Sequence, residues 1–277
     1  MPALAEKRSA AAYFPHKKHK GLLIMEKKKT SAGYKAVKWL VWALFPKMRV
    51  EGLENLPEGG AVIVGNHAQL AGPIGAELYL GDDRYTWCAG QMMTLKEVPA
   101  YAFQDFWSMK PKAVRWFYKL LSHVIAPLAE YVFTNAHTIP VRHDARVMTT
   151  FRTSVEKLNA GADIVIFPER AEAYNGILWQ FQEHFVDLAK LYHRRTGKAV
   201  CFVPMYTAPR LSGIYFGEPV RYNPEAPEDE ERERICAALL EAVSDLASAL
   251  PEHTVVPYPN IPKNQYPKNT DRKTASA

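Results

Sequence analysis

No stretch of this 277-residue chain reaches the roughly 18–20 uninterrupted apolar residues that a membrane-spanning helix requires. The longest run near the start, Trp39 to Phe45, stops at Pro46. Leu22-Leu23-Ile24-Met25 is too short for a secretion-signal core and has no small-residue cleavage site after it. Neither a cleaved signal nor a spanning segment is expected. Cysteine is scarce. Cys88, Cys201 and Cys236 have no metal-ligand spacing and lie in apolar surroundings, which predicts buried reduced thiols, a reducing compartment and no metal centre. No internal repeat is present.

Acidic residues are nearly missing from the first fifty positions. Only Glu6 and Glu26 stand there against 12 Lys and Arg, a charge of +10. The whole chain carries +6 and residues 252–277 carry +2, which leaves −6 on the body between. A basic arm on an acidic body predicts an anionic surface as partner. The arm lacks interleaved aromatics and nucleic-acid-binding motifs, so an anionic membrane surface is the expected partner, with no nucleic acid. That places the protein at the cytoplasmic face of a membrane, peripheral or monotopic.

The length allows one large α/β domain or two small ones, and 48% hydrophobic residues are enough for a real core. Residues 1–33 read as a flexible basic arm. An amphipathic N-terminal helix is expected over 34–45, ended by Pro46. Apolar runs at 61–66, 85–89, 137–141, 164–167, 200–203 and 214–217 predict strands. Helices are expected near 73–80, 146–159 and 178–194, with a last one from the acidic start Glu228–Glu231 to Leu250. Strands alternating with helices predict a single α/β domain over 34–250, with a mostly parallel central sheet flanked by helices. Residues 251–277, rich in Pro, Lys and Asn, read as an extended basic tail. On a helical wheel Lys112, Arg115 and Lys119 share an arc of about 60°, and Trp116, Phe117, Leu120, Leu121 and Val124 lie on the other side. That pattern suits a helix in a bilayer interface and equally one packing its apolar side on the sheet.

Four short pieces end the sheet-forming runs: Asn66-His67, Ile139-Pro140-Val141-Arg142, Phe167-Pro168-Glu169-Arg170 and Val203-Pro204. The carboxyl ends of parallel strands converge on one edge, where ligands bind. Histidine there can abstract a hydroxyl proton near neutral pH. Arginine can grip a phosphate with two hydrogen bonds. Glutamate can hold that arginine or bind substrate hydroxyls.

In order and spacing these pieces resemble the four blocks of the glycerolipid acyltransferases, the family of lysophosphatidate and glycerol-3-phosphate acyltransferases. The resemblance spans about residues 35–220. It implies transfer of a fatty acyl group from a thioester donor, acyl-CoA or acyl-carrier protein, to the hydroxyl of a glycerophosphate or lysophospholipid. His67 would be the general base, and Asn66, Arg142, Glu169 and Arg170 would bind substrate. No metal and no other cofactor is implied.

The chain departs from the family pattern at two places. The aspartate expected five positions after the histidine falls on Gly72, and the third block continues Arg170-Ala171-Glu172 in place of Gly-Thr-Arg. A carboxylate behind an imidazole fixes its tautomer and stabilises the imidazolium. Glu77 and Asp105 are the candidate replacement acids, with Asp82 and Asp144 as further candidates, and Arg170 is the candidate for the displaced arginine. The alternative is a non-catalytic, lipid-binding relative of the family.

Overall fold

The computed structural model describes residues 30–142, 144 and 146–273. The expected arm therefore lies outside the described residues except at its end, where Ala32 and Gly33 already belong to helix α1 (Ala32–Leu44). The chain continues through β1 (Arg49–Glu51), β2 (Val62–Gly65), α2 (Ala71–Tyr79), β3 (Arg84–Ala89), α3 (Val98–Ala102), α4 (Arg115–Asn135), β4 (Thr138–Val141), α5 (Val147–Asn159) and β5 (Asp163–Ile166). It then forms β6 (Glu169–Ala173), β7 (Trp179–Phe181), α6 (Asp187–Thr196), β8 (Cys201–Ala208), β9 (Gly213–Phe216), β10 (Val220–Arg221) and α7 (Glu228–Ala249).

The main sheet runs β1-β9-β8-β2-β5-β3-β4, with β10 added to β8. The β8–β9 and β8–β10 pairs are antiparallel, and every other pair is parallel. Every residue of β2 and β5 is buried, because helices cover both faces. The alternation of side chains divides each strand between two cores. Val62, Val64, Ile164 and Ile166 meet Leu158 of α5, Leu188 of α6 and Leu239 of α7 on one face. Ile63, Val165 and Val203 meet Ala76 and Leu80 beside Met48 on the other.

The expected helix over 178–194 begins only at Asp187. Its first part is β7, paired antiparallel with β6 in a separate hairpin. Asn175-Gly176 makes the turn. The Asn175 Oδ1 accepts from the Ile177 and Leu178 amides, and Gly176 takes φ 87°. An Asn-Gly pair between β-type runs is a hairpin signal that outranks the helical pattern here.

Helix α4 turns its apolar side outward. Trp116, Phe117, Leu120, Val124 and Leu128 are exposed, whereas Ser122 and Ala126 face the protein. The chain after α7 lies against the domain. The His253 ring meets the Tyr206 hydroxyl at 2.9 Å, and buried Asn269 bonds the backbone of His253, Ala247 and Leu250. Among the described residues, no helix is long and apolar enough to cross a membrane.

Candidate active site

Strands β2 and β5 are neighbours, so the chain leaving each brings His67 and Glu169 together at the carboxyl edge of the sheet. Asn66 comes first and is buried. Its Nδ2 donates to the Thr207 carbonyl at 3.1 Å, and its Oδ1 accepts from the Thr207 amide at 2.7 Å. Both ends of the amide thus continue the β2–β8 pairing. Asn66, expected to bind substrate, thus has both ends of its amide engaged and fixes the backbone from which His67 projects.

Ala68 and Gln69 follow at φ 43° and 56°, a left-handed turn that costs non-glycine residues of order 1 kcal/mol each. The turn brings the Gly72 amide back to the His67 carbonyl at 2.9 Å and starts α2. Gly72 has no space for a side chain. A β-carbon there would stand 2.6 Å from the Asn66 carbonyl oxygen, 2.7 Å from that of His67 and 2.8 Å from Cε1 of Phe167. The missing aspartate is therefore excluded sterically in this arrangement.

Among the described residues, no carboxylate is hydrogen-bonded to the His67 ring. The His67 Nδ1 is buried with no hydrogen-bond partner. Glu77, expected as a replacement, accepts from the Tyr34 hydroxyl and the Lys38 ammonium on the α1 side of α2. Asp82 also faces Lys38, at 3.6 Å. Asp144 is held by Arg146. Asp105 does line the cavity that holds His67, and partial burial raises its carboxyl above the usual aspartate range, but no hydrogen bond joins it to the ring. The imidazole packs instead against Phe167 and Tyr258, with ring centroids 5.3 Å and 5.1 Å away. Desolvation without a compensating charge pushes His67 down to about 4.

Glu169 is buried and accepts from the backbone amides of His67 and Trp179. It meets His67 through the main chain and does not hold Arg142. Burial pushes its carboxyl up to about 7, against the two amide bonds that lower it. Arg170 points away from the cavity, to Gln180 across the hairpin and to Glu172 at 3.3 Å. On a strand, neighbouring side chains face opposite ways, so with Glu169 turned inward Arg170 lies on the other side of the hairpin.

Arg142 leaves β4 three strand spacings from β2, about 14 Å along the edge. Its Nη1 donates to Glu97 at 3.1 Å, and its Nη2 donates to the Gly90 carbonyl at 3.2 Å and the Thr94 hydroxyl at 2.8 Å. Three of the five guanidinium protons are thereby engaged, and the Nε proton and one on Nη1 remain. His67 and Arg142 line one cavity of about 950 Å³, at the upper end of the range for ligand clefts. Trp87, Tyr101, Phe151 and Tyr258 supply much of its aromatic wall. Among the described residues, no group of His, Cys, Asp and Glu could hold a metal ion.

A family model described as Acyltransferase matches residues 47–208, which takes in β1 to β8 and all four strand-end pieces. The chain belongs to the acyltransferase family. Among solved structures, this acyltransferase is similar to the crystal structure of the 1-acyl-sn-glycerophosphate (LPA) acyltransferase PlsC from Thermotoga maritima. Sequence identity is 17%, 77% of this chain and 79% of that chain are covered, and the TM-score is 0.42. No curated protein matches this chain in sequence.

Tyr258 gave no signal in the sequence, because it lies in a Pro-rich stretch without periodicity, far along the chain from His67. The two central ionisations should show in stability. Glu169 is raised, so its contribution is complete below pH 4.5 and is lost as pH rises through 7. His67 is lowered, so its contribution is present above pH 6.5 and is lost as pH falls through 4. Urea midpoints are expected to be lower at pH 8 than at pH 6. Glu169→Gln should remove that loss, about 1 kcal/mol between pH 6 and pH 8 out of about 3 kcal/mol over the whole titration.

Proposed function

We propose that this acyltransferase moves a fatty acyl group from a thioester donor, acyl-CoA or acyl-carrier protein, to the hydroxyl of a glycerophosphate or lysophospholipid, as a step of phospholipid biosynthesis. The observation that carries this reading is the shared cavity of His67 and Arg142. With Nδ1 enclosed, Nε2 is the nitrogen available to an acceptor hydroxyl. The imidazole takes the hydroxyl proton as the oxygen attacks the thioester carbonyl. The carbon–sulfur bond then breaks, and the departing thiolate takes the proton from the imidazolium. No covalent enzyme intermediate is required.

Arg142 supplies the acceptor contact in this reading. Its two remaining donors suit a phosphate, while Glu97, Thr94 and Gly90 hold the guanidinium in place. Arg142→Ala is expected to raise KM for a phosphate-bearing acceptor about 10- to 100-fold, as loss of a charge-assisted contact does. KM for the thioester should change much less. Steady-state kinetics with each substrate varied in turn checks this.

A membrane surface is the proposed partner. Trp116 and Val124 of α4 are each 68% exposed, and Lys112 and Lys119 lie beside this apolar face. Aromatic and aliphatic groups next to lysines suit the headgroup boundary. The double variant Trp116→Glu, Leu120→Glu should lower binding to anionic liposomes at least about 10-fold without changing the melting temperature. Unchanged co-sedimentation would place the membrane contact elsewhere.

The second reading, a lipid-binding protein without turnover, draws on the unpartnered Nδ1 and the closed Gly72 position. It predicts the same liposome binding and no acyl transfer.

A further inference from the structure

We propose that Tyr258, carried on the segment after α7, is a positioning residue for His67 and takes over the orienting task of the absent carboxylate. The proposal rests on the reading of His67 as the base. The imidazole has no hydrogen bond at Nδ1, and the space behind it at Gly72 is closed. What remains to fix the ring is the pair of aromatic side chains in contact with it. Phe167 comes from the end of β5, with an interplanar angle of 58°, and Tyr258 from the C-terminal segment, at 51°. Tilted contacts at these centroid distances are favourable and hold a ring's rotation.

The segment is built as a rigid mount. Residues 253–269 leave and rejoin the domain at one point. The His253 amide donates to Asn269 Oδ1 at 2.9 Å, the Val255 amide to the Pro267 carbonyl at 2.8 Å, and Thr254 pairs with Lys268. The Tyr206 hydroxyl and the backbone of α7 anchor this base from below. At the far end, Gln69 Nε2 donates to the Tyr266 hydroxyl at 2.7 Å. The same loop therefore grips the left-handed turn that follows His67 and covers the His67 ring. A loop that only closed the domain would need neither contact.

The titratable groups near the imidazole include Glu169, bonded to its backbone amide, and Asp105 and Tyr101 on the cavity wall, which Cys88, Arg142, Asp144, His184 and Asp187 also line. Burial, Asp105 and Glu169 all raise the Tyr258 phenol, so it stays neutral. The ring, not the hydroxyl, is the working part.

The test compares Tyr258→Ala, Tyr258→Phe and Tyr258→Leu in the full-length protein. Each is assayed with lysophosphatidate and an acyl-CoA, and the His67 ring is titrated by NMR. Tyr258→Ala is expected to lower kcat about 10- to 100-fold, with both KM values within about twofold. Its imidazole should titrate more than one pH unit higher than in the wild type, because the ring loses the cover that lowers it. Tyr258→Phe should restore both to within about threefold and half a pH unit of wild type. If the alanine variant fails to fold, Tyr258→Leu keeps the apolar bulk and carries the same expectation for kcat. A variant that raises KM alone, an unchanged titration, or a phenylalanine variant as poor as alanine would overturn the proposal. The titration needs no turnover. An inactive wild type whose His67 still responds to Tyr258→Ala would refute the acyl-transfer reading and leave the positioning contact standing.

Discussion

Replacing His67 with alanine is expected to lower kcat/KM for acyl transfer about 10³-fold, the middle of the range for loss of a general base. The fold should survive. The ring contributes two aromatic contacts but carries a buried nitrogen with no partner, so its removal relieves an unsatisfied polar atom while opening a small void. These effects oppose each other, and the melting temperature should move by only a few degrees. At pH 7 a ring held near 4 is fully neutral and ready to accept a proton, yet it holds that proton weakly. A slow enzyme is therefore expected, with a His67 limb in kcat/KM near pH 4 and not near 7. A variant retaining more than about a tenth of wild-type activity would remove His67 from the chemistry.

Gly72→Asp has the second large effect, and its direction is opposite to what the family pattern suggests. Restoring the motif aspartate should cost stability, by about 3 kcal/mol or more, and should not raise activity. Two of the three atoms that a β-carbon would strike are backbone oxygens, those of Asn66 and His67 themselves. They cannot yield without moving the backbone that presents the imidazole, and Asn66 is tied to Thr207 at both ends of its amide. The third is Cε1 of Phe167, one of the two rings in contact with His67. The variant would also bury a carboxylate beside two carbonyl oxygens. Urea midpoints and kcat, measured side by side, check both parts. A variant as stable as wild type and more active would mean that the turn at Ala68 and Gln69 can open to admit the carboxylate.

The sheet was legible because β2 and β5 are buried on both faces and read as continuous apolar runs. The strand-end pieces were legible because each sits directly after such a run. The contact between Glu169 and His67 follows from the adjacency of β2 and β5, which strand order decides and sequence order does not. Arg142, from β4, lies at the far end of the same edge for the same reason. The orientation of α4 was beyond the helical wheel, which gives a helix two sides but not the one that meets the protein. Glu77 looked suitable as an acid near His67, yet its partners Tyr34 and Lys38 belong to α1, whose docking no local pattern reveals. Gly72 read as a lost residue; its tight surroundings are long-range contacts and became visible only in three dimensions. Tyr258 is the same case in reverse, a contact made across some 190 residues of chain by a segment whose composition suggested a tail.

The most direct test is acyl transfer by the purified wild-type protein on mixed anionic liposomes, with lysophosphatidate as acceptor and acyl-CoA and acyl-carrier protein tried in turn as donor. Formation of the diacyl product, one free thiol released per molecule, with loss of both in His67→Ala, is the expected result. A protein that binds the liposomes but forms no product with either donor would contradict it.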